Sequence, residues 1–81
     1  MSAREIDVFY LQRWSDVLEA WDSGRQFLDV AGAITEARVT PKLKRIVRYR
    51  SQQGTMGLRD ELVTIWQGKS VPEWLGEVSA A

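Results

Sequence analysis

Between Ile6 and Trp21, the large apolar side chains Ile6, Phe9, Tyr10, Trp14, Val17, Leu18 and Trp21 recur at three- and four-residue steps. At 100° per residue they merge into one wide stripe, with Glu5, Gln12, Asp16 and Glu19 on the opposite side. This spacing predicts a long amphipathic helix over about 3–22. Ser2 and Glu5 supply a capping box at its start, each side chain satisfying a free backbone N–H. Gly24 supplies its stop. Val8 is the discordant residue: it points toward the polar side of such a helix. The stripe beside it is also broader than one partner helix covers, and surplus apolar surface on a small monomer marks an interface.

The same reading carries along the chain. Phe27, Leu28, Ala31 and Ile34 have helical spacing and suggest a second helix over 25–37. Gly32 counts against it, at about 1 kcal/mol relative to alanine in a helix interior, and a strand at 27–34 is the rival reading. Thr40 and Pro41 suit the cap and first turn of a third helix over 41–52, with Gly54 ending it. Thr55 then caps a fourth over 56–67, carrying Leu58, Leu62, Ile65 and Trp66 on one side. A short turn over 71–78 presents Trp74, Leu75 and Val78. The expectation is therefore all-α: one domain over 1–81, a compact bundle of four helices plus a short C-terminal helical turn. Trp14, Trp21 and Trp66 are assigned to its core.

Composition closes several chemistries. The chain has 81 residues and contains neither cysteine nor histidine. That removes disulfides, thiolate nucleophiles, the commonest metal ligand and the one side chain that titrates near neutrality. A domain this short buries only roughly 60–65% of its unfolded surface, leaving little room for a pocket that retunes carboxylates or lysine for catalysis. There is no P-loop pattern, and Asp60 and Glu61 are adjacent rather than opposed across a site. No apolar run approaches the ~18 residues needed to span a bilayer, and the N-terminus lacks signal-peptide order. The reading is a cytoplasmic, non-enzymatic protein with no cofactor, no metal, no membrane association and no small-molecule substrate.

What remains is charge. The formal net charge is zero, yet residues 37–59 hold seven bases and no acid, whereas the flanking segments are acidic. In the helical reading Lys42, Lys44, Arg45, Arg48, Tyr49 and Gln52 share the solvent face of the third helix, while Arg50 snorkels beneath the apolar arc. Three uses compete for that face. It can pair with acids of its own bundle. It can enter a nucleic-acid groove as a helix-turn-helix-like recognition helix over 41–52. Or it can dock on an acidic protein, either a partner or a second copy of the chain forming a homodimer. The pI near 6.2 lies well below the ~9 expected of nucleic-acid-binding domains, so protein binding leads. The expected function is a small protein-interaction module (adaptor, inhibitor or assembly subunit), with a nucleic-acid-binding regulator as the alternative. Its expected binding residues are Lys42, Lys44, Arg45, Arg48, Tyr49, Trp74 and Leu75.

Overall fold

A computed structural model describes residues 4–39, 41–53 and 61–78. The chain is built mainly of strands: β1 (Arg4–Ser15), β2 (Ala20–Trp21), β3 (Arg25–Phe27), α1 (Val30–Ala37), β4 (Lys44–Gln53), β5 (Glu61–Gly68) and α2 (Glu73–Val78). The strands form a curled antiparallel sheet, a half-barrel, in the order β2-β1-β4-β5, with β3 also pairing β1. β1 therefore lies inside the sheet, β4 against one flank and β2 and β3 in succession along the other.

This overturns the all-α expectation. Residues 4–15, 44–53 and 61–68 are extended where helices over 3–22, 41–52 and 56–67 were expected. Among the described residues helix occurs only at Val30–Ala37 and Glu73–Val78. The physical reason lies in the side chains. "IDVFYLQRW", "RIVRYR" and "LVTIW" are rich in β-branched and aromatic residues, which suit a pleated surface better than a helix. Both faces of the sheet take apolar residues, so the period-two alternation that marks a half-exposed strand is hidden. Ser2, Thr40, Gly54, Thr55 and Leu58, used as helix punctuation and packing in that reading, lie outside the described residues.

Alternation sorts the sheet into two faces. Phe9 and Leu11 of β1 point to the helix side, with Ile46 of β4 opposite Leu11 and Trp66 of β5 opposite Ile46. Between Ile46 and Val47 the register slips: Ile46 faces Trp66 but Val47 faces Thr64, leaving Ile65 as the extra residue of a bulge. Onto this side packs α1. Asp29 caps it, its carboxylate accepting from the Gly32 N–H at 2.8 Å, and Val30, Ala33, Ile34 and Ala37 form its buried stripe at i, i+3, i+4 and i+7. Gly32 is required there: a Cβ would lie 2.8 Å from the Phe27 ring. The residue that argued against this helix is thus what lets it approach the sheet.

Leu75 of α2 completes the core with no exposed surface, and Trp66 belongs to it as expected of a large ring. Trp14 and Trp21 do not. Val17 and Leu18, assigned to the inward stripe, stand exposed at the tip of the β1–β2 hairpin, where Glu19 takes a left-handed φ of 50°. The Cα atoms extend 44 × 32 × 14 Å. The shortest dimension accommodates a sheet and one helical layer at about 10 Å spacing, and no further layer.

Candidate binding face

The side of the sheet opposite the described helices is the candidate site. Val8, Tyr10, Gln12 and Trp14 occupy alternate positions of β1, and Arg45, Val47 and Tyr49 alternate positions of β4. Val8 pairs with Tyr49, Tyr10 with Val47 and Gln12 with Arg45, while Trp21 of β2 pairs with Trp14. Rows of side chains meet across these pairs. Tyr10 and Tyr49 pack edge to face with centroids 5.2 Å apart, and Val47, opposite Tyr10 in the register, is fully buried. Trp14 and Trp21 make a second edge-to-face pair at 5.4 Å. All four rings remain half-exposed.

Arg45 sits between these pairs. Its guanidinium lies 4.5 Å from the Trp21 ring centroid, and its Nε donates to Gln12 Oε1 at 2.6 Å. No carboxylate among the described residues pairs with it, and the described strand positions on this face hold none. The acids nearest in the strands, Asp7 and Glu61, register with Arg50 on the other side. The arginine is therefore held by an amide and a ring, its charge unmatched by any described strand position of its own sheet face.

The structure divides the residues singled out in the sequence. Arg45 and Tyr49 lie on this face. Lys44 and Arg48 alternate to the helix side, so the cations do not share one surface and residues 41–52 offer no recognition helix. Lys44 is buried, at 1% exposure, where a solvent-facing charge was expected. Arg48 is half-buried, and its Nε has no hydrogen-bond partner among the described residues. Arg50 does not snorkel; it forms a two-point contact with Asp7, Nε to Oδ1 at 2.9 Å and Nη2 to Oδ2 at 3.2 Å. That contact, chiefly its hydrogen bond, holds the Asp7 carboxyl below its ordinary range. Lys42 is exposed in the connection before β4. Trp74 is 56% exposed on α2, but Leu75 is a core residue and is unavailable to a partner.

Tyr10, Gln12, Trp14 and Trp21 were missed as site residues. The signal was present: read at period two, Val8-Tyr10-Gln12-Trp14 and Arg45-Val47-Tyr49 each present one face. Among the described residues no cluster of three carboxylates could hold a metal ion, and no helix is long and apolar enough to cross a membrane. The chain matches no protein-family model, no curated protein and no solved structure.

Proposed function

We propose that this chain is a non-enzymatic protein-interaction module whose sheet face opposite the described helices receives a partner protein presenting a carboxylate among apolar side chains. The observation that carries this reading is Arg45, stacked on Trp21 and tied to Gln12 on a face whose described strand positions hold no acid. Tyrosine, tryptophan and arginine are the residues enriched at protein interfaces and their hot spots, and the cores of such interfaces are depleted in lysine and acids. The face has that composition. Its rings and guanidinium are held in place before a partner arrives, which lowers the ordering cost of binding.

Selection from a random peptide library displayed on phage tests this chemistry directly. Enriched peptides should carry Asp or Glu flanked by large apolar residues, and Arg45→Met or Trp21→Ala should abolish their capture. Enrichment of sequences without acids, or equal capture by Arg45→Met, contradicts the proposal. Concentration-dependent sedimentation that Arg45→Met abolishes would identify the partner as a second copy.

A second reading rests on the alternating rings. Tyr10, Trp14 and Tyr49 are spaced along strands as in sheets that stack single-stranded bases. The backbone phosphates argue against it, because by register Arg45 and Arg4, the latter at the far end of β1, are the only cations among this face's described strand positions. With two phosphate contacts the salt slope would be only about −1.4 for a single strand. Binding of an oligonucleotide with a slope several times steeper would favour nucleic acid over protein.

A further inference from the structure

On the opposite side of the sheet, at the end where β1 meets the start of β4, Arg13 and Lys44 pair directly across the strands. Arg25 of β3 stands opposite Leu11, one strand further out, and Glu36 of α1 reaches across to it. Together with Val39 these residues line a pocket of about 110 Å³. A water claims about 30 Å³ in the liquid, so the space holds a few waters or one polyatomic ion.

The charge in this pocket is unbalanced. Three cations line it against a single carboxylate, and that carboxylate is engaged at the rim, 3.5 Å from Arg25, where both side chains are well exposed. Lys44 keeps only 1% of its surface exposed, and among the described residues nothing hydrogen-bonds or ion-pairs with its ammonium group. The fully enclosed side-chain nitrogen without a partner among those residues is Arg48 Nε and not Lys44 Nζ, so the lysine head meets the pocket rather than sealed protein. A buried charge normally finds a partner, because leaving it without one costs several kcal/mol. Here burial first, and the Arg13 charge second, pull Lys44 below the ordinary lysine range. The side chain that would be most stabilised by an anion is the one aimed into the cavity.

We propose that this pocket is a binding site for a small tetrahedral oxyanion, phosphate or sulfate, with Lys44 as the buried point charge and Arg13 and Arg25 as the forked donors at its mouth. Donors arriving from three strands suit an ion with oxygens on several sides better than a planar carboxylate. Arginine forks grip two of those oxygens at once, and the lysine ammonium takes a third. The site lies on the helix side of the sheet, away from the aromatic face, and does not depend on the partner proposed for that face.

Calorimetric titration of the full chain with inorganic phosphate, and separately with sulfate, tests the site against sodium chloride of matched ionic strength. Saturable binding is expected for at least one oxyanion, with a rise in melting temperature that chloride does not reproduce. Lys44→Met should abolish both effects. Arg13→Gln should weaken affinity at least about tenfold, the loss expected for one charge-assisted hydrogen bond. Absence of saturable heat with either ion overturns the proposal. So does an oxyanion-dependent melting shift that survives in Lys44→Met. Should that variant fail to fold, unaltered affinity in Arg13→Gln is equally decisive.

Discussion

The guanidinium of Arg45 stacks 4.5 Å from the Trp21 ring centroid, although 23 intervening residues, a hairpin edge and a helix separate the two in the chain. β1 brings them together, pairing Trp14 with Trp21 on one flank and Gln12 with Arg45 on the other. The contact should be measurable in the absence of any partner. A double-mutant cycle with Arg45→Met and Trp21→Leu, followed by urea denaturation, should give a coupling energy of about 0.5–1 kcal/mol, the range for an incompletely desolvated cation–π pair. A coupling indistinguishable from zero would mean that the guanidinium is not held on the ring.

Gly24 is a second handle on the same arginine. Its φ is 79°, and a Cβ there would lie 2.8 Å from Gln12 Cγ and 3.0 Å from the Leu11 carbonyl oxygen. The Leu11 carbonyl is fixed in the sheet, so Gln12 must move. Gly24→Ala should destabilise the chain by about 1–3 kcal/mol, visible as a lower urea midpoint at unchanged slope. It should also weaken capture of the peptides selected on the aromatic face, since Gln12 holds the Arg45 Nε. Gly24→Ser should behave alike. An unaltered midpoint would show that the edge between β2 and β3 does not constrain Gln12.

Asp7 predicts the acid limb of stability. Its carboxyl is depressed by the Arg50 hydrogen bond and by the charges of Arg50 and Arg48, with burial opposing them. Glu61 registers opposite Arg50 from β5. A depressed carboxylate contributes stability above its unfolded pKa of about 3.9 and loses it as the pH falls through its lower folded value. Unfolding followed from pH 5 downward should therefore show a loss of stability that Asp7→Asn lacks. Both side chains of the pair are about one-third exposed, so solvent limits the contribution to about 0.5–1 kcal/mol. Identical acid profiles for the two proteins would show that the pair contributes nothing.

Why so much of the sheet was illegible follows from β1 and β4. In "DVFYLQRW" the apolar residues Val8, Phe9, Tyr10 and Leu11 are contiguous because Val8 and Tyr10 serve one face and Phe9 and Leu11 the other. A run without gaps contains helical spacings as readily as strand spacings. Val8, out of place on the helical wheel, was the one local sign of the error. In β4 the wheel grouped Lys44, Arg45 and Arg48 on a single face, whereas the pleat separates Arg45 from the other two. The assignment fared better around Val30–Ala37 because that segment packs one stripe against one surface, although its buried face is Val30, Ala33, Ile34 and Ala37 rather than a set including Leu28 and Ala31. Of the residues singled out for binding, Arg45 and Tyr49 were legible as charge and aromaticity. Their partners Gln12 and Trp21 depend on register, which is a long-range property.

The C-terminal pair Trp74 and Leu75 separates packing from display. Leu75 is fully buried in the core cluster on the α1 side, and Leu75→Ala should cost about 2–5 kcal/mol, much of the stability of so small a domain. Trp74→Ala, at an exposed position, should stay within about 0.5 kcal/mol. Melting curves of the two variants distinguish them. A larger loss for Trp74→Ala would reverse which ring or branch anchors α2.

Lys44 shifts stability with pH in the same direction as Asp7, upward as the pH rises, but in the alkaline range and because its charged form is the one the fold disfavours. Burial, and then the Arg13 charge, lower its pKa, while Arg25 from β3 and Glu36 from α1 complete the charges around it. Below the folded pKa both native and unfolded chains hold the proton, and the cost of the buried ammonium is borne in full. Between the lowered value and the unfolded value of about 10.4, the native lysine is neutral while the unfolded chain remains protonated, so stability rises with pH. In buffers free of phosphate and sulfate, the stability of the native sequence should climb across that window relative to Lys44→Met, which carries no titrating group at this position. At neutral pH Lys44→Met should be the more stable protein, since a flexible apolar chain of similar length replaces an uncompensated charge. Saturating oxyanion should cancel that advantage by supplying the counter-charge to the native lysine alone. If Lys44→Met is less stable than the native chain at neutral pH without oxyanion, the ammonium already has its counter-charge within the fold.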